Sequence, residues 1–154
     1  MIVYRISSCK FINDLSGTGA AMYGGRWNSE GVYVLYTAGG PSLAMLESLV
    51  HFGGRIVGDY CQVAIEVPEK HILELTEQDL PANWRESPPP DTLRGFGNQF
   101  IAEGKFLMLK VPSVLVPDES NYLLNPQHPE FKRVKILVKS KIKFDERLVK
   151  KTPG

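Results

Sequence analysis

The chain has 154 residues, 43% of them hydrophobic and 23% charged, so it fits one globular domain with a sizeable core and excludes a disordered or fibrous architecture. A formal net charge of +1 gives little long-range attraction for a polyanion, so nucleic-acid binding would need a local patch. The only cysteines, Cys9 and Cys61, stand far apart without a CxxC, which offers no zinc framework and little reason to expect a disulfide. No run approaches the ~20 apolar residues that span a bilayer, and MIVYRISSCK has no leader-like apolar core. The expectation is a soluble, cytoplasmic protein.

IVYRI (2–6) reads as a short strand, apolar apart from Arg5. Residues 7–25 read as irregular, punctuated by Gly17, Gly19, Gly24 and Gly25. VYVLYT (32–37) is rich in β-branched and aromatic residues and predicts a strand that ends at Gly39-Gly40. Pro41 then opens a helix, SLAMLESLVHF, which Gly53-Gly54 close. Leu43, Leu46 and Val50 fall on one stripe of that helix with Glu47, so the carboxylate faces inward or lines the edge of a cleft.

YCQVAIEV (60–67) alternates, with Cys61, Val63, Ile65 and Val67 on one face, as a half-buried strand does. The proline-rich PANWRESPPPD (81–91) predicts a surface crossover loop. A second helix is expected over 92–103, weakened by Gly95 and Gly97, followed by a buried strand FLMLKV. VPSVLVP (111–117) reads as extended and NYLLNPQHPEF as a turn-rich loop. Val134, Ile136, Val138, Ile142 and Phe144 alternate with Arg133, Lys135, Lys139, Lys141 and Lys143, the pattern of an outer strand or hairpin with a solvated basic face. Strands outnumber helices, and the class is α+β in one domain covering residues 1–154.

Most familiar motifs are missing. GFGNQF (95–100) lacks the third glycine and the preceding strand of a dinucleotide fingerprint, and there is neither a GxxxxGK[ST] nor a GxSxG. His51, His71 and His128 share no metal-ligand spacing, which predicts no metal site. Three polar residues stand out instead. Glu47 is either a core carboxylate paired with an arginine, Arg5 being a candidate, or a functional group. Arg26 in GGRWNSEG is either a loop cation or a ligand-binding guanidinium, since glycines let backbone approach a ligand and a guanidinium matches phosphate bidentately. Ser113 is either a plain strand serine or part of a site. An arginine pair, an inward carboxylate and nearby tyrosines suit a dinucleotide or phosphorylated-sugar substrate.

YRI near the start, GGRWN, VLYTA, LAMLE, LKVPSVLVPDESNYLLNPQHPEF and the late FDERL together resemble the RES-domain proteins, over nearly the whole chain from Tyr4 to Leu148. The resemblance implies a compact fold like that of the diphtheria-toxin-type ADP-ribosyltransferases. It implies the toxin of a bacterial toxin–antitoxin pair that cleaves NAD at the nicotinamide–ribose bond, with water, phosphate or protein as acceptor. NAD would be the substrate, phosphate a possible co-substrate, and no cofactor or metal is implied. The partner would be an Xre-type helix-turn-helix antitoxin, with no direct nucleic-acid or membrane binding. The family's arginine, glutamate and serine fall on Arg26, Glu47 and Ser113, and its other NAD-binding positions on Arg5 and Tyr36. Glu47 would stabilise the ribose cation, Arg5 and Arg26 would clamp the anionic half of NAD, Tyr36 would pack on nicotinamide and Ser113 would bond near it. The family's usual tryptophan in the second helix is Phe100 here. Two other readings stand beside this one: a protein ADP-ribosyltransferase on the same fold, and a nucleic-acid-binding module using the basic face of 133–143.

Overall fold

The computed structural model describes residues 1–150. In chain order it contains β1 (Ile2–Ser8), α1 (Thr18–Tyr23), β2 (Leu35–Ala38), α2 (Pro41–His51), β3 (Tyr60–Glu66), β4 (Ile72–Glu74), α3 (Asp91–Glu103), β5 (Met108–Pro112), β6 (Ser120–Leu124) and β7 (Lys135–Ile142). The strands form one seven-stranded sheet in the order β4-β5-β6-β2-β1-β3-β7. Only the β4–β5 pair is parallel, and its connection carries the proline-rich segment and α3, so the sheet is mixed. The α+β, single-domain expectation holds.

Alternation along the strands decides what each face carries. Tyr4 lies opposite Ala38, Ala38 opposite Asn121, Tyr36 opposite Leu123, and Leu123 opposite Leu109. These residues therefore share one face. Two clusters cover it: Trp27, Trp84, Leu93 and Phe100 pack with Leu109 and Leu123, and Leu43 and Ala44 of α2 pack with Ala38. The opposite face buries Val3, Leu35, Cys61, Val63, Ile65, Met108 and Leu124 beneath Ile12. Phe100, where the family's tryptophan was expected, is 2% exposed in the α3 cluster, a packing position.

Several local expectations change. Residues 18–23 form a short helix inside the supposedly irregular segment, and the strand after it starts at Leu35 rather than Val32. Residues 120–124 are a strand, β6, not part of a loop, because they pair on both sides, with β2 and β5. On α2 the buried residues are Leu43, Ala44, Ser48 and Leu49, while Leu46 and Val50 are 40% and 62% exposed. Small Ala44 and Ser48 let the helix lie close on the sheet, and the Ser48 hydroxyl is satisfied by donating to the Ala44 carbonyl at 2.8 Å. Glu47 is thus half-buried at the border of the packed face, the cleft-edge alternative.

Cys9 and Cys61 are joined by a disulfide, S–S 2.07 Å, against the expectation of two free thiols. Fifty-two residues apart in sequence, they meet because β1 and β3 are antiparallel neighbours: Ser8 lies opposite Tyr60, and the Cys9 amide donates to the Asp59 carbonyl. The basic strand β7 is an outer strand, as expected. A register shift between Ala64 and Ile65 and the lysines along β7 discourage further pairing at that edge, and β4, at the other edge, is three residues long.

Candidate functional site

GGRWNSEG folds as a tight turn. Gly24 sits at φ 70°, a positive φ that favours glycine, and the Gly25 amide donates to the Asn28 carbonyl at 2.9 Å, so Arg26 and Trp27 occupy the bend. Trp27 turns into the core, 3% exposed. Asn28, 1% exposed, donates from Nδ2 to the carbonyls of Ala20, Ser29 and Val32 and accepts the Tyr36 hydroxyl at 2.6 Å. The Tyr36 oxygen also accepts from the Trp27 amide at 3.1 Å. Burial pushes the Tyr36 phenol up, so it stays protonated and keeps donating to Asn28. A side chain at residue 25 would meet that same phenol, since a Cβ there would lie 2.7 Å from the Tyr36 oxygen.

Tyr36→Phe removes the group that ties the turn to β2 and strands the Trp27 amide and the side-chain Oδ1 of Asn28. Loss of about 1–3 kcal/mol is expected, read as a lower urea midpoint; an unchanged midpoint would mean that water replaces the phenol.

Arg26 leaves the turn and is held from the far side of the site. Its Nη1 donates to the carbonyls of Trp84 at 2.9 Å and Glu86 at 3.1 Å. The proline-rich segment is therefore more than a crossover: buried Trp84 anchors it in the α3 cluster, and its backbone fixes the guanidinium. The Nε and Nη2 edge has no hydrogen-bond partner among the described residues. Burial depresses the Arg26 pKa, opposed by the nearby Glu47 carboxylate and then Tyr36.

Glu47 is reached from β6 and from the turn that precedes it. Its Oε1 accepts from Asn121 Nδ2 at 2.7 Å and from Ser113 Oγ at 3.4 Å. Ser113 does not sit in an extended stretch: it starts the turn between β5 and β6, and its oxygen accepts from the amides of Leu115 and Val116 at 3.1 and 3.2 Å. With its lone pairs taken, its proton is left for Glu47. Oε2 has no hydrogen-bond partner among the described residues, so one carboxylate oxygen is fixed and the other is free for a ligand.

Arg26, Tyr36, Glu47 and Ser113 are thus gathered on one face. Arg5 is not with them. It lies opposite Val63 on the other face, where its Nη1 donates to the Ile12 carbonyl at 2.9 Å. Burial lowers its pKa and the Asp14 carboxylate partly restores it; because Arg5 lies on the face away from α2, the suggested Arg5–Glu47 pair does not form. Asn121, Asn28 and the Trp84 and Glu86 carbonyls escaped the sequence reading, although both asparagines stand inside the motifs GGRWN and ESNYLL.

Among the described residues no cluster of three or more His, Cys, Asp or Glu could hold a metal. His128 accepts the Glu130 amide on Nδ1 and its ring lies 5.5 Å from that of His71, a structural use of both. Two surface hollows, of about 480 Å³ around Tyr33 and Phe131 and about 380 Å³ around Tyr60 and Phe144, contain none of the four gathered residues. The side-chain chemistry, rather than the depth of a depression, marks the site.

The model of the RES domain family matches residues 2–146. The chain belongs to the RES-domain family. It is 41% identical over 133 residues to "Toxin Res" of Yersinia enterocolitica, covering 85% of this chain and 88% of the relative. Identity is 40% over 144 residues to "Prs ADP-ribosylating toxin" of Sphingobium sp., covering 90% and 89%. It is 37% over 153 residues to "Toxin Res" of Photorhabdus laumondii, covering 97% and 98%. The fold is similar to a chain in the crystal structure of the M. tuberculosis MbcT–MbcA toxin–antitoxin complex, with a TM-score of 0.78 at 18% identity over 92% of this chain and 83% of that one. Glu47 and Ser113, two of the three positions on which the sequence resemblance placed the family's arginine, glutamate and serine, are hydrogen-bonded to each other.

Proposed function

We propose that this RES-domain protein is the toxin of a toxin–antitoxin pair and cleaves NAD at the nicotinamide–ribose bond, passing ADP-ribose to water or phosphate. The observation that carries the reading is the Glu47 carboxylate: one oxygen is held by Asn121 and Ser113, and the other is free on the face shared with Arg26 and Tyr36. Cleavage breaks the bond between the anomeric carbon and the ring nitrogen. The electron pair goes to nicotinamide, which leaves neutral, and positive charge spreads over the anomeric carbon and ring oxygen. A fixed anion beside that charge stabilises the transition state more than the ground state. The acceptor oxygen then bonds to the anomeric carbon and releases its proton to solvent water, with Glu47 placed to orient it. Arg26 would hold phosphate through its Nε and Nη2 edge, and the Tyr36 ring would pack on nicotinamide.

Arg26→Lys keeps the charge and loses the fork, so NAD binding about tenfold weaker or worse is expected by calorimetry; wild-type affinity would remove the clamp role. The activity itself is tested by incubating the protein with NAD, with and without phosphate, and identifying products by mass spectrometry. Nicotinamide with ADP-ribose or its 1″-phosphate supports the reading, and intact NAD in both conditions overturns it. The reading as a protein ADP-ribosyltransferase is favoured by the name of the Sphingobium relative, and it predicts ADP-ribose attached to protein in the same experiment.

The toxin reading implies an antitoxin of the Xre helix-turn-helix type, consistent with the toxin–antitoxin complex to which the fold is similar. Nucleic acid is not the expected ligand: β7 carries exposed Leu137 and Val138 among its lysines but no aromatic side chain for base stacking. No helix among the described residues is long and apolar enough to cross a membrane. The cytoplasm, where NAD is available, is the proposed compartment. The Cys9–Cys61 bond argues the other way, since cytosolic thiols are kept reduced; alkylating intact cells before lysis and finding both cysteines modified would settle it for the cytoplasm.

A further inference from the structure

With Arg5 on the wrong face, the two-arginine clamp expected from the sequence lacks one member. A second guanidinium nevertheless stands beside Arg26. Arg94, in the first turns of α3, donates from Nε to the carbonyl of Gly25 at 3.3 Å, so it is attached to the backbone immediately before Arg26. Its charge also reaches the Tyr36 hydroxyl, as that of Arg26 does.

We propose that Arg94 is the second cation of the substrate clamp, gripping the diphosphate of a nucleoside diphosphate-sugar ligand together with Arg26; this rests on the NAD reading of the site. Hydrogen-bond inventory supports it. Both arginines are positioned by backbone carbonyls, which fix orientation without neutralising charge. Arg26 spends Nη1 on Trp84 and Glu86 and keeps its Nε and Nη2 edge free. Arg94 spends Nε on Gly25, and its Nη1 contacts only the Asp91 carboxylate at 3.1 Å. The Asp91 side chain is 94% exposed and that of Arg94 42%, so this ion pair is a weak, solvated one that a phosphate can displace. Each arginine then offers two parallel N–H groups, a side-on fork from Arg26 and an end-on fork from Arg94. Two forks at adjacent points of one turn suit two linked phosphates, and a single cation does not.

The test compares ligands that share or lack phosphate. Arg94→Gln keeps an amide able to donate to the Gly25 carbonyl and removes the charge. Calorimetry with ADP-ribose is expected to show about tenfold weaker binding or worse, as for loss of a hydrogen bond to a charged group, with nicotinamide binding and the thermal midpoint close to wild type. Arg94→Lys is expected to lose part of the affinity, and Arg5→Gln none of it. Wild-type ADP-ribose affinity in Arg94→Gln, or in Arg94→Lys should the glutamine variant not fold, overturns the clamp. Equal losses for ADP-ribose and nicotinamide also overturn it, because they mark a purely structural arginine. Failure of the wild type to bind either ligand overturns the NAD reading itself and takes this inference with it, a result distinct from a normal wild type with an indifferent Arg94.

Discussion

Glu47→Gln is expected to slow nicotinamide release from NAD by about a thousandfold while leaving the thermal midpoint and NAD affinity near wild type. A unit charge about 4 Å from the developing ribose cation, at an effective dielectric near 20, contributes about 4 kcal/mol, and each ~1.4 kcal/mol is a factor of ten in rate. The glutamine retains a carbonyl oxygen that can accept from Asn121 and Ser113 just as Oε1 does, so the local hydrogen bonds survive. Only the charge and the second acceptor oxygen change. Single-turnover measurement of nicotinamide release separates this loss from an effect on product departure. A rate within tenfold of wild type would leave the Glu47 charge without a catalytic role.

The partners of Glu47 show how far the sequence could be read. Glu47 and Ser113 were legible as motif positions, and the helix carrying Glu47 was bounded correctly by Pro41 and the closing glycines. The face of that helix was not, because an apolar stripe identifies buried residues only when bulk decides the packing. Here small Ala44 and Ser48 allow the close approach, and Leu46 and Val50 turn outward. The alternation of β3 was unambiguous and is obeyed, with Cys61, Val63, Ile65 and Val67 all buried. Alternation also says that Tyr4 and Arg5 point to opposite faces, but not which face lies beneath α2, and for that reason Arg5 was grouped with residues it does not meet. β6 was hidden by its own composition: SNYLL next to NPQHP reads as a turn until two neighbouring strands claim its backbone. The Cys9–Cys61 contact is of the same kind, a product of strand order rather than of sequence spacing.

The two glycines of α3 give the sharpest case, and the largest expected effect on stability. Sequence reasoning penalises Gly95 and Gly97 alike, since glycine costs a helix interior about 1 kcal/mol against alanine. The structure separates them. A Cβ on Gly95 meets nothing within 4 Å, whereas one on Gly97 would lie 1.7 Å from the Trp27 carbonyl oxygen and 2.8 Å from its carbon. Those atoms are backbone, held from both sides: Trp27 is buried under α3, and the next turn of contact is fixed by Asn98, which accepts from the Ser29 amide at 2.9 Å and donates to its hydroxyl at 2.8 Å. The chain cannot yield without separating α3 from the Arg26 turn. Gly95→Ala is therefore expected to raise stability by up to about 1 kcal/mol, and Gly97→Ala to lower it by about 3 kcal/mol, the upper range for overpacking. Urea unfolding of the two variants should move their midpoints in opposite directions. Because the turn that α3 clamps also presents Arg26, the Gly97→Ala protein that remains folded should bind NAD more weakly than Gly95→Ala. Equal midpoints would mean that the α3–Trp27 contact is not close enough to exclude a side chain at residue 97.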